Sequence, residues 1–235
     1  MSLPIIEVPK YSVTIPSTGD KIQYRPYLVK EEKILMIAME SESQEQMLTA
    51  IRDIIDACTF NTLDIDSLST FDLEYIFLKL RAKSVGEVST VGLKCSSCSE
   101  VNEIDINLDA IEVSFPEDAP KNGVVMINDK IGIRFRYPTV ANSTKIKDSN
   151  TIEGIMKLIT LCIDNIFDAE NVYPASNSTP KELMAFLESL NTEQFARIQN
   201  FFEKMPSISY ETKFACEHCS HENTLVLKGL ANFFG

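Results

Sequence analysis

Two Cys-x-x-Cys turns constrain this chain more than any other feature. Leu93-Lys-Cys95-Ser-Ser-Cys98-Ser99 is echoed by Phe214-Ala-Cys216-Glu-His-Cys219-Ser220. Val91 and Leu93 lead into the first turn, and Ile104, Ile106 and Leu108 follow it in strand-like alternation. Tyr210, Thr212 and Phe214 lead into the second, and Leu225 and Leu227 follow. A strand, a tight Cys-x-x-Cys turn and a returning strand form a zinc knuckle, and two knuckles supply the four thiolates of a tetrahedral structural site. The spacing therefore assigns one structural Zn2+ per chain to Cys95, Cys98, Cys216 and Cys219. Iron also accepts four thiolates, so the choice between the two metals stays open. A redox dithiol fits less well. Such motifs sit at a helix N-terminus, where the dipole lowers the thiol pKa, and strands flank both turns here.

The echo extends beyond the cysteines. Ser67-Leu-Ser-Thr70, a helical run and a strand lead to Cys95, while Ser189-Leu-Asn-Thr192, a helical run and a strand lead to Cys216. Lys21-Ile-Gln-Tyr-Arg-Pro26 matches Ile133-Arg-Phe-Arg-Tyr-Pro138 in the same order. The expected fold is α+β and internally duplicated, with copies at 1–113 and 114–235. Each copy holds a β-hairpin, two to three helices and a knuckle. A period this long means sister domains rather than a solenoid. The expectation is a pseudo-twofold relation, with one metal stapling the halves.

Composition narrows the function. The net charge of −12 and pI of about 4.7 oppose non-specific nucleic-acid binding, which needs basic groups to displace counterions. They equally oppose an anionic membrane surface. Hydrophobic residues at 44% are enough for a real core. The opening Met1-Ser-Leu-Pro-Ile-Ile-Glu7 has no signal-peptide character, and no apolar run reaches the length of a membrane span. The thiols are thus expected to be reduced, cytosolic and in part metal-bound.

Along the chain, Tyr11–Pro16 and Lys21–Arg25 alternate around the turn Ser17-Thr-Gly-Asp20, predicting a hairpin. Lys30–Glu40 has helical spacing, with Ile34, Leu35, Ile37 and Ala38 on one side; Gln44–Cys58 carries a stripe of Met47, Leu48, Ile51, Ile54 and Ile55. Ser69-Thr-Phe-Asp72 reads as a capping box opening a third helix that ends near Ser84. Residues 112–123, with Pro116, Pro120 and Gly123, read as the linker between copies. A second hairpin follows over Val124–Tyr137, then a helix over Thr151–Phe167 and a polar loop over Asp168–Ser178. Thr179-Pro-Lys-Glu182 and Asn191-Thr-Glu-Gln194 each start a helix, and Met205-Pro206 ends the second.

Other candidates have plain readings beside them. His218 and His221 are either replacement ligands or surface turn residues; their counterparts in the first copy are Ser97 and Glu100. Two histidines in the whole chain leave little for His-based catalysis, and four thiolates would close the open position a catalytic zinc needs. Cys58 and Cys162, on apolar helices, read as buried and inert. No glycine-rich phosphate loop is present. Tyr24–Leu28 is a hairpin strand entering the core or a partner-binding edge. Phe233 and Phe234 either dock on the chain or offer an apolar tail to a partner.

Two blocks carry a family resemblance: Arg25-Pro-Tyr-Leu-Val-Lys-Glu-Glu-Lys-Ile-Leu-Met36 and Phe71-Asp-Leu-Glu-Tyr-Ile-Phe-Leu-Lys-Leu-Arg-Ala-Lys-Ser-Val-Gly-Glu87. With the helix-to-knuckle order that follows them, the chain resembles the baseplate hub assembly proteins of T4-like contractile-tailed bacteriophages, most densely over its first 110 residues or so. The resemblance implies a non-enzymatic chaperone or scaffold in the host cytoplasm. It would bind hub or tape-measure proteins, with no catalytic residues to carry over. The alternative is a permanent structural subunit of the baseplate hub in the virion. A third class, an enzyme or a transcription-linked zinc-ribbon protein, lacks both a catalytic constellation and a basic surface.

Overall fold

The computed structural model describes residues 6–41, 43–117, 123–146 and 151–233. Strands β1 (Tyr11–Thr14) and β2 (Lys21–Tyr24) pair antiparallel, with Tyr11 opposite Tyr24. Helix α1 (Val29–Glu40) follows. The buried Glu31 carboxylate accepts the Leu28 N–H at 2.9 Å and pairs with Arg25 Nη2 at 2.8 Å, which satisfies a free donor at the helix start. Of the apolar side expected on α1, only Ala38 is buried; Ile34 and Ile37 are exposed, as are Val29, Met36 and Met39. In α2 (Gln44–Cys58), Ile51, Ile54 and Ile55 do face the core. Helix α3 (Thr70–Ser84) is buried nearly all round, from Phe71 through Ala82. The first knuckle is built by β3 (Val88–Lys94) and β4 (Val101–Asn107), paired in unbroken register. Val113–Ser114 forms β5, so the expected linker starts as a strand paired with residues 207 and 208. Its residues 118–122 lie outside the described residues.

The second hairpin forms as expected from β6 (Val124–Met126) and β7 (Gly132–Phe135). Gly123 holds φ +69°, and a Cβ there would run into the Phe135 carbonyl. A short helix α4 (Val140–Ser143) precedes α5 (Ile152–Cys162), which Thr151 caps. The helix expected to reach Phe167 stops at Cys162. Ile163–Phe167 is instead strand β8, paired with β7 across a register shift at Arg134/Phe135. Ile159 and Ile163 continue a helical step, but the edge of β7 offers Ile163 and Asn165–Phe167 backbone partners, and tertiary pairing overrides local spacing. The expected polar loop at 168–178 likewise contains β9 (Val172–Pro174), which completes the order β6-β7-β8-β9. Helices α6 (Pro180–Glu188) and α7 (Thr192–Glu203) start where predicted, α6 with the predicted capping box at Thr179/Glu182 and α7 with a second box at Asn191/Gln194. The second knuckle consists of β10 (Ser207–Ala215) and β11 (Glu222–Lys228).

The architecture is mixed α+β, with seven α-helices and several small sheets among the described residues. Two compact units divide it. Unit 1 gathers Met1–Ile65, Phe71–Ser114 and Ser207–Gly235; unit 2 takes Asp66–Thr70 and Phe115–Pro206. In unit 2, α5, α6 and α7 share with the β6–β9 sheet an apolar core that includes Ile133, Phe135, Ile159, Leu187, Ile198 and Phe201. In unit 1 the core includes Ile54, Ile55, Ile76, Leu78, Leu80, Ile106 and Leu108, together with Phe233. The Phe233 carbonyl accepts from Ser89 Oγ at 2.9 Å, so this residue docks on its own chain. Phe234 lies outside the described residues. Tyr24 and Tyr27 are buried, in line with a hairpin that enters the core. One motif recurs in both units. Arg25 N–H donates to the Cys58 carbonyl at 3.0 Å, and Arg136 N–H donates to the Cys162 carbonyl at 2.8 Å. No described helix is long and apolar enough to cross a membrane.

Candidate metal centre

Both knuckle turns lie in unit 1 and have the same backbone. The Cys95 N–H donates to the Glu100 carbonyl at 2.9 Å and the Ser99 N–H to the Cys95 carbonyl at 3.0 Å. In the second turn Cys216 donates to His221 at 2.9 Å and Ser220 to Cys216 at 2.8 Å. The tightness of the turn forces the residue after the second cysteine into the left-handed region, with φ +63° at Ser99 and +57° at Ser220. Such a turn aims both thiols of its pair to one side.

The two turns bring all four sulfurs within 4.8 Å of one another. Cys95 Sγ lies 3.7 Å from Cys219 Sγ, and Cys98 Sγ 3.6 Å from Cys216 Sγ. Four sulfurs about 2.3 Å from a central ion define a tetrahedron with edges of about 3.8 Å, whereas a disulfide is about 2.05 Å long. The donor set and its spacing can therefore hold a metal ion. Cys95 and Cys216 are buried, and Cys98 and Cys219 are exposed. Neither His218 nor His221 belongs to this cluster. Both are exposed, and His221 enters only through its carbonyl.

Two further residues complete the site. Asn102 and Asn223 each stand four positions after the second cysteine of a knuckle, and both are buried. Each reaches across to the other knuckle. Asn223 Nδ2 donates to Cys95 Sγ at 3.5 Å and to the His221 carbonyl at 3.0 Å. Its Oδ1 accepts from Ser96 N–H and Ser96 Oγ, both at 2.9 Å. Asn102 Nδ2 donates to Cys216 Sγ at 3.6 Å and to the Glu100 carbonyl at 3.1 Å, and its Oδ1 accepts from Glu217 N–H at 2.9 Å. The signal was in the sequence, since both turns read Cys-x-x-Cys-Ser-x-x-Asn, but an asparagine in a strand draws no attention beside cysteines.

These donors shape the thiols. The Cys98 N–H, with the Ser97 N–H and the Asn223 amide, draws Cys95 down to about 6. Desolvation pushes Cys216 up, but the N–H groups of Cys219 and His218 and the Asn102 amide outweigh it and leave that thiol lowered. For Cys98 the Glu100 N–H pulls downward, and desolvation with the neighbouring thiols, Cys219 first, pushes it up to about 12. A cluster of this kind readily loses its first proton and resists losing the rest until a cation arrives to take the charge. By contrast, burial pushes Cys58 up to about 11 and Cys162 up to about 12, the unreactive behaviour expected of core thiols.

No curated protein and no solved structure matches this chain. A protein-family model, described as T4 bacteriophage base plate protein, matches residues 8–235, nearly the whole length. That match takes in both blocks that carry the resemblance and both knuckles, and the chain belongs to the T4 bacteriophage base plate protein family.

Proposed function

We propose that this chain is a non-enzymatic assembly factor for the baseplate hub. In this reading it works in the host cytoplasm, binding hub or tape-measure proteins and holding them until they dock. Family membership supports a role among baseplate components. The observation that carries a binding role is α1, which exposes Val29, Ile34, Met36, Ile37 and Met39 on a twelve-residue helix. Apolar surface of this kind marks an interaction site, while a net charge of −12 disfavours self-association.

The same reading gives the four cysteines a structural Zn2+, one per chain, which fixes the two knuckles together. It also takes 1–113 and 114–235 as copies of one ancestral unit. The shared knuckle backbone and the reciprocal asparagines support this. The second copy then gives its knuckle, Ser207–Gly235, to unit 1.

Quantitative mass spectrometry of purified virions beside infected-cell lysate tests the role. The assembly reading expects abundance in lysate and absence from particles. A fixed whole-number copy count in particles would replace it with a permanent structural subunit. Metal analysis of the purified chain tests the site, with one zinc per chain expected.

A further inference from the structure

The β1–β2 hairpin is a two-stranded sheet, and β1 has no strand on its outer side among the described residues. The register shows which groups that edge offers. Ile15 N–H donates to the Asp20 carbonyl at 2.8 Å, and hydrogen-bonded pairs alternate along an antiparallel ladder. Val13 with Ile22 and Tyr11 with Tyr24 are then the next bonded pairs. The N–H and C=O groups of Ser12 and Thr14 therefore point away from β2. Natural edges are usually guarded by charge or proline, and Tyr11-Ser-Val-Thr14 contains neither.

This edge borders a groove of about 760 Å3 within unit 1. A stripe of α3, Tyr75, Lys79 and Lys83 at steps of four, lines it too, as do Asp109 and Glu112. A free strand edge beside a helix face is the setting in which proteins add an extended peptide as a further strand. A docked helix keeps its own backbone bonds and could not use Ser12 and Thr14.

We infer that the groove takes an extended segment of another baseplate protein, added to β1 as a third strand and carrying acidic and apolar residues in alternation. This rests on the reading that the chain binds baseplate components. Three lysines, Lys10, Lys79 and Lys83, face two carboxylates in the groove, on a chain whose net charge is −12. Lys79 is paired with Glu112, and Lys83 with Glu87 and Asp109. Lys10, which stands over the Phe60 ring, is the cation an incoming carboxylate would meet. Tyr11, half-buried, supplies aromatic surface for an alternate, apolar side chain.

The test is an array of overlapping twelve-residue peptides covering the tail proteins encoded beside this chain. The strongest binder is then titrated against the full-length protein and its variants. Ser12→Pro removes an outward N–H and leaves the β1–β2 ladder intact. It is expected to weaken the peptide at least tenfold with unchanged circular dichroism. Lys10→Glu, just outside the β1 ladder, is expected to weaken an acidic peptide severalfold. Bound peptide should also slow amide exchange at Ser12 and Thr14. Equal affinity for both variants, slowing confined to α1, or no binder on the array would each overturn the inference. A tail protein that still copurifies with both variants would sink the groove and leave the assembly role standing. Failure of every tail protein to associate with the wild-type chain would remove both.

Discussion

Unit 2 is drawn almost entirely from one stretch of chain and closes around a single apolar core. Unit 1 is gathered from three separated segments, and polar contacts stand at its joints: four thiols, two buried asparagines, and the bond from Ser89 Oγ to the Phe233 carbonyl. The difference has a physical cause. Continuous chain brings its own elements together, and non-directional burial is then enough to hold them. Segments far apart in sequence must close long loops, and directional bonds between named atoms fix which segments meet and in what register.

Metal removal should separate the units most sharply. A strong chelator, or Cys95→Ser, is expected to cost unit 1 several kcal/mol and lower its melting temperature by on the order of 10 °C. Hydrogen exchange, read peptide by peptide, checks this: β3, β4, β10 and β11 should lose protection while α5–α7 keep theirs. A melting curve indifferent to the metal would end the idea of a structural ion. The converse break is Leu187→Ala. It empties part of the unit 2 core at a cost of about 2–5 kcal/mol, and the loss should be the same with and without chelator. A metal-dependent loss would mean that the units do not separate in this way.

A finer test lies between the two asparagines. Asn223 accepts two hydrogen bonds from Ser96, and Asn102 accepts one from Glu217. Either alanine variant loses these bonds at about 0.5–1.5 kcal/mol each. Asn223→Ala should be worse than Asn102→Ala by about 1 kcal/mol, and adding Ser96→Ala should erase most of that gap. Chemical denaturation with metal bound measures it. The smallest expected effect is at Ser99 and Ser220, both held at positive φ. Glycine at either position should stabilise by up to about 1 kcal/mol, in equal measure if the turns are equivalent.

How much of this was legible in the sequence follows the same division. The knuckles, both hairpins and the helix starts at Thr179 and Asn191 depend on neighbours a few residues apart, and spacing revealed them. Strand β8 was not legible, because Ile163 continues the step of Ile159 and only the distant β7 edge decides its conformation. Val113–Ser114 looked like linker because its partners are Ile208 and Ser207, far along the chain. The four cysteines were legible as a candidate ligand set, which the structure brings together, while Asn102 and Asn223 acquire a purpose only when the opposite knuckle is in place. The apolar stripe of α1 was legible as hydrophobic, but periodicity does not say which side the chain itself covers.

The three-segment origin of unit 1 also sets an order of events during synthesis. Cys98 and Cys216 are 118 positions apart, and a ribosome adding about 5–20 residues per second takes roughly 6–24 s to cross that interval. Through that time the first knuckle has two thiols and no second pair to meet. All of unit 2 except Asp66–Thr70 is made meanwhile. The last β-hairpin to leave the ribosome is thus the one that completes the first half of the molecule, and only a chain translated through Cys219 can lock.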